Sequence, residues 1–154
     1  MGGREKRSKK LLGVNSDTQP EELVFFIDRS LGRSIVPEAL QKEGVQVQIH
    51  DNLFPQNAPD TDWLSKVGSR NWIVLTKDAM IKSRPNEKAA LMRSGVRAFI
   101  LVSANLTGEE MASIFVKAIP AIKKFIAKYP APFIAKIKRT GSGINLEMFE
   151  AGDK

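Results

Sequence analysis

An alternating α/β fold, with a mainly parallel central sheet and helices on both of its faces, is what this sequence predicts. Leu23-Val24-Phe25-Phe26-Ile27 and Trp72-Ile73-Val74-Leu75-Thr76 are short, unbroken apolar runs, the pattern of strands buried on both faces of a parallel sheet. Segments of helical period lie between these and other strand-like runs, as in a β/α series. At 154 residues the chain has the length of one domain rather than two.

Residues 1–20 are polar and carry Arg4, Lys6, Arg7, Lys9 and Lys10 with Gly2 and Gly3, so a flexible basic tail is expected there and a single domain over 21–150. The first strand ends at Asp28. After Gly32, Ser34 is placed to cap a helix whose apolar face includes Ile35, Val36, Ala39 and Leu40, with Gly44 as its left-handed stop. Residues 45–49 alternate apolar and polar, which predicts a half-buried strand nearer the sheet edge. His50 follows and reads as a strand-end residue hydrogen-bonded to backbone.

The loop over 51–59 holds Asn52, Pro55, Asn57 and Pro59 and leads into a helix capped near Asp60 or Thr61, with Trp63, Leu64 and Val67 on its apolar side. The second apolar strand exits at Lys77-Asp78. A helix over 86–94 should then stop at Gly95, and residues 98–102 supply another buried strand. Thr107-Gly108-Glu109-Glu110 has capping-box spacing and opens a long helical segment with Met111, Ile114, Phe115, Ala118, Ile122, Phe125 and Ile126 inward. Pro120 is expected to kink or divide it. A terminal hairpin is predicted from 133–139 and 144–148 around Thr140-Gly141-Ser142-Gly143. No internal repeat is visible.

Composition narrows the chemistry. The chain has no cysteine and one histidine, which excludes thiolate nucleophiles, disulfides, cysteine zinc sites and two-histidine metal motifs. No apolar run approaches the ~20 residues that cross a bilayer, and no signal-like stretch follows the charged start, so a cytoplasmic location and no membrane partner are expected. A formal net charge of +7 and a pI near 9.8 favour polyanionic partners.

In open α/β sheets ligands collect outside the carboxyl ends of the strands. Asp28 and Asp78 sit at such ends, and a right-handed crossover would bring Asp60 toward the same rim. Gathered carboxylates repel one another unless a cation intervenes, and an oxygen-only donor set suits Mg²⁺ or Mn²⁺. Asp28, Asp60 and Asp78 are therefore the candidate catalytic and metal-binding acids. Asp62 and Glu38 are candidates to orient water or a second ion, against the plainer reading of helix-dipole and surface charges. Arg29, Arg33, Lys77, Lys82 and Arg84 flank the expected loops and are candidates to hold phosphates. Lys117, Lys123, Lys124 and Lys128 read as a solvated helix face.

Three stretches carry a family resemblance: Phe25-Phe26-Ile27-Asp28-Arg29-Ser30-Leu31-Gly32, Pro59-Asp60-Thr61-Asp62-Trp63-Leu64 and Trp72-Ile73-Val74-Leu75-Thr76-Lys77-Asp78. Together they resemble a divergent branch of the PIN-like domains of VapC-type toxin ribonucleases. Weaker similarity runs through Arg84, Glu87 and Ala90 to Pro132-Phe133-Ile134-Ala135. The resemblance implies a three-layer PIN-like fold and a Mg²⁺- or Mn²⁺-dependent endoribonuclease with Asp28, Asp60 and Asp78 at its acidic site. It also implies RNA as substrate and an antitoxin protein as partner, with a homodimer left open.

The sequence departs from that pattern twice. A fourth acid is not unambiguously placed, and Arg29 follows Asp28 where related branches often carry a polar or acidic residue. These departures keep open a second reading, a non-catalytic PIN-like nucleic-acid-binding or scaffold protein. A receiver-like phosphoacceptor domain ranks below both, because it needs adjacent acids after the first strand and Asp28 is followed by Arg29-Ser30.

Overall fold

A computed structural model describes residues 23–102, 105–141 and 143–152; the basic tail predicted over 1–20 lies outside them. Six strands form one sheet: β1 (Val24–Ile27), β2 (Gln46–Ile49), β3 (Ile73–Thr76), β4 (Arg97–Leu101), β5 (Phe133–Thr140) and β6 (Gly143–Ala151). Their spatial order is β2-β1-β3-β4-β5-β6. The first five run parallel, and β6 returns antiparallel to β5. β2 is the edge strand, as its alternation predicts.

Side chains alternate across each strand, and this divides the core in two. Phe25, Ile27, Ile73, Leu75, Phe99, Leu101, Phe133 and Ile137 face one way, packed with α1 (Ile35–Lys42) and α5 (Gly108–Lys128). Phe26, Val74, Ala98, Ile100 and Ile134 face the other, packed with α3 (Asp60–Ser69) and α4 (Pro85–Arg93). Both faces of the central strands are covered, which is why their sequences are continuously apolar rather than alternating. This is the three-layer arrangement expected.

Several details differ from the sequence-based expectation. Ser34 occupies the N-cap of α1, but its side chain makes no capping hydrogen bond. Residues His50–Leu53 form a short helical turn, α2, directly after β2, where a loop was expected. Pro59, not Asp60 or Thr61, is the N-cap of α3; Asp60 is its first helical residue. Pro120 does not divide α5, which is a single 21-residue helix. The proline is exposed, and the flanking Ala118, Ile119 and Ile122 are buried against the sheet. That packing offsets the lost backbone bond, a cost of about 3 kcal/mol.

The capping box at Thr107 forms as its spacing predicts, with Glu110 N–H donating to Thr107 Oγ1 and Thr107 N–H to Glu110 Oε1. The terminal hairpin is longer than the apolar residues alone suggested. Lys136 and Lys138 both pair with Glu147 across it. Among the described residues no helix is long and apolar enough to cross a membrane.

Close helix packing fixes the spacing of the layer that carries Asp60. Gly68 is buried in α3, and a Cβ there would collide with the carbonyl oxygen of Ser94 at the end of α4. The missing side chain lets the two helices approach. Gly68→Ala is therefore expected to destabilise the fold by about 1–3 kcal/mol, the usual cost of overpacking, despite the better helix propensity of alanine. Chemical denaturation measures this, and a neutral or stabilising result would contradict the packing described.

Candidate active site at the β1/β3 switch point

The chain leaves β1 for β2 on one side and then crosses back to β3 on the other, so strand order reverses between β1 and β3. Such a reversal opens a crevice at the carboxyl ends of the two strands. Asp28 follows β1 and Asp78 follows β3 after one intervening residue.

Asp28 is 8% exposed and is held rigidly. Its backbone N–H donates to Leu75 O at 3.0 Å, extending the β1–β3 pairing by one residue. Its Oδ2 accepts from the Thr76 hydroxyl at 2.8 Å and from the Ser30 N–H at 3.2 Å. The Thr76 proton is thus committed to Asp28, and Thr76 Oγ1 in turn accepts from Asp78 N–H at 2.9 Å. Ser30 Oγ lies 3.1 Å from Thr76 Oγ1 and accepts from Lys77 N–H at 3.1 Å, which leaves its own proton for Thr76. One donor and two lone pairs of a fully buried threonine are then all satisfied. The network ties the loops after β1 and β3 to each other. Asp28 Oδ1 has no partner among the described residues.

Asp60 approaches from the start of α3, where its Oδ1 accepts from Trp63 Nε1 at 2.9 Å. Trp63 is itself buried, stacked on Phe26 with ring centroids 5.2 Å apart. Burial holds the Asp60 carboxyl above its ordinary value; the indole hydrogen bond pulls it down, and the charges of Asp28, Asp78 and Glu87 push it up. Arg84 Nη1 stands between two of the acids, 3.8 Å from Asp78 Oδ2 and 4.0 Å from Asp60 Oδ2.

A stability consequence follows from the raised Asp60 value. Between the ordinary 3.8 and the raised folded value, the folded chain binds more protons than the unfolded chain. Stability therefore falls as pH rises through that window and stays lowered above it. Asp60→Asn keeps an oxygen for the Trp63 indole and is expected to be more stable than the parent at neutral pH. Thermal melts across pH check this: the gain should fade as pH drops below 3.8, and a gain that persists in acid would contradict the cause assigned.

The other candidates are dispersed. Glu38 is exposed on the first turn of α1. Asp62 is exposed on α3 and lines a separate surface cleft with Phe54, Asn57 and Lys66. Neither acts on Asp60, whereas Glu87, on the first turn of α4, does. Arg29 leans toward Asp51, with Nε 3.7 Å from its Oδ1. Lys82 lies over the Phe149 ring at 5.1 Å, turned to the hairpin. Arg33 and Lys77 are exposed. His50 is buried among Phe26, Phe54 and Trp63; its Nδ1 lies 3.0 Å from Asp51 Oδ1, a carboxylate partner rather than the backbone one expected.

Sequence reasoning thus missed Ser30, Thr76 and Glu87. A polar residue ending an otherwise apolar strand, two positions before an aspartate, was the available signal for Thr76.

The donor set is compatible with a hard divalent ion. It offers carboxylate oxygens without cysteine or an accessible histidine, a buried Asp28 oxygen lacking a partner among the described residues, and a guanidinium already drawn between two of the acids. Among the described residues no three of these side chains stand close enough to hold one ion as they are, so binding requires side-chain adjustment.

Comparison with known proteins agrees with the topology. A family model described as "PIN like domain" matches residues 23–103, more than half of the chain. A Mycobacterium tuberculosis protein named "Putative ribonuclease VapC45" is 29% identical over 114 residues, covering 71% of this chain and 82% of that protein. No solved structure gives a match. The matched segment contains β1 through β4 and all three aspartates at the switch point, and the chain belongs to the PIN-like domain family.

Proposed function

We propose that this chain is a divalent-metal-dependent endoribonuclease, the toxin of a toxin–antitoxin pair, acting in the cytoplasm on RNA at Asp28, Asp60 and Asp78. The observation that carries this reading is the arrangement at the switch point. Asp28 and Asp78 are bound to one buried threonine, and Asp60 and Asp78 flank one guanidinium. Membership of the PIN-like family and the similarity to a protein named as a ribonuclease support it. The antitoxin is inferred from the VapC name of that relative and would be a separate chain.

When bound, Mg²⁺ or Mn²⁺ would activate a water and neutralise charge on the scissile phosphate and the leaving oxygen. Asp28, Asp60 and Asp78 would hold the ion, Asp28 through the oxygen that Thr76 and Ser30 leave available. Trp63 fixes the orientation of Asp60. Glu87, within electrostatic reach of Asp60, is the best-placed fourth acid to orient the attacking water. Arg29, Arg33 and Lys77 are exposed near the rim and would attract the phosphates flanking the cleaved bond.

The test is cleavage of single-stranded RNA by the purified protein. We expect internal cuts with Mn²⁺ or Mg²⁺ and none with a chelator. Cleavage that persists in chelator would overturn the metal dependence. RNA binding without cleavage under every metal condition would favour the non-catalytic PIN-like reading.

A further inference from the structure

We propose that Arg84 is a built-in counter-cation that competes with the divalent ion for Asp60 and Asp78, and so sets how tightly the chain binds metal. The inference rests on the metal-dependent reading above and concerns a different property of the same rim. Nη1 of Arg84 is almost equidistant from Asp78 Oδ2 and Asp60 Oδ2, at 3.8 and 4.0 Å. An arginine locked onto one carboxylate forms parallel hydrogen bonds of about 2.7–2.9 Å. Here both distances exceed hydrogen-bond length, so the guanidinium neutralises two acids by proximity while committed to neither.

Three features make this cation displaceable. The side chain is 45% exposed, and exposed ion pairs contribute little. Arg84 is the N-cap residue of α4 but makes no side-chain capping bond, so the helix does not depend on where the guanidinium lies. Pro85, at the first helical position, restricts the backbone of Arg84 to the extended region. Its anchor point is thus fixed while its long side chain is free to swing. The carboxylates it flanks repel each other in its absence, since Asp60 is half-buried and feels the charges of Asp28, Asp78 and Glu87. An ion entering that space must either displace the guanidinium or sit against like charge.

A fixed structural ion pair is the competing role, and the two roles predict opposite results. Mn²⁺ alone is titrated calorimetrically into the full chain, Arg84→Ala, Arg84→Lys and Asp78→Asn, with thermal melts of each. We expect Arg84→Ala to bind Mn²⁺ about 1.5-fold to fivefold more tightly, the range set by loss of one exposed charge interaction. Arg84→Lys should fall between it and the parent, and the unfolding midpoint of Arg84→Ala should stay near that of the parent. Unchanged or weaker Mn²⁺ binding in Arg84→Ala, while Asp78→Asn still loses binding, overturns the counter-cation and leaves the metal site standing. Absence of Mn²⁺ binding in the parent and in Arg84→Ala overturns both.

Discussion

Asp28→Asn and Asp78→Asn are each expected to lower RNA cleavage by on the order of 10²–10³-fold, the scale on which removing one electrostatic contact to a reacting group acts. Neither change should unfold the protein. Asparagine at 28 keeps an oxygen to accept from the Thr76 hydroxyl and the Ser30 amide, so the loop linkage survives while the charge is lost. At 78 the backbone N–H bond to Thr76 is untouched by the substitution, and the side chain's contact with Arg84 is a long, exposed one. Initial rates at saturating Mn²⁺, paired with circular dichroism, measure both quantities. Full activity in both folded variants would remove these residues from the site. Thr76→Val supplies a further comparison, since it deletes the shared hydroxyl but leaves every carboxylate in place.

Phe26→Ala is expected to cost about 3–5 kcal/mol, the range for truncating a buried aromatic side chain. Phe26 is fully buried in the middle of β1. Its ring stacks on Trp63 and Trp72 and meets His50 and Phe54 at steeper angles. The same ring supports the indole that orients Asp60. Urea denaturation should therefore show a large loss of stability, and the surviving folded fraction should also cleave poorly. A loss under about 1 kcal/mol would mean that the aromatic cluster repacks around the cavity, contrary to the dense packing expected of such a core.

These two sites illustrate what could be read from the amino-acid order. Asp28 and Asp78 were visible because a charged residue after a wholly apolar run marks the strand exit, and strand exits gather at one end of a parallel sheet. The two-sided burial of β1, β3 and β4 was legible for the same reason. Asp60 was only half legible. Its place near a helix start followed from Pro59 and the polar run, but the indole of Trp63 takes its carboxylate, and Pro59 occupies the cap.

What stayed hidden depends on contacts between distant segments. Ser30 and Thr76 lie 46 residues apart, and nothing local to either reveals that one hydroxyl serves two aspartates. Glu87 reaches Asp60 because α3 and α4 pack closely at Gly68, a relation set by tertiary packing rather than by helical periodicity. Lys82 lies over the ring of Phe149 on the terminal hairpin, a contact between segments that the residues around Asp78 do not reveal. The unbroken α5 shows the same lesson: local propensity at Pro120 yields to the apolar face that flanks it.

A Mn²⁺-soaked crystal would locate the ion among the three aspartates, because the anomalous signal marks the metal itself. One strong peak is expected at the carboxyl ends of β1 and β3, roughly 2.1 Å from carboxylate oxygens of Asp28 and Asp78, with Asp60 in direct or water-mediated contact. A peak elsewhere on the surface, or none there at saturating Mn²⁺, would contradict this placement.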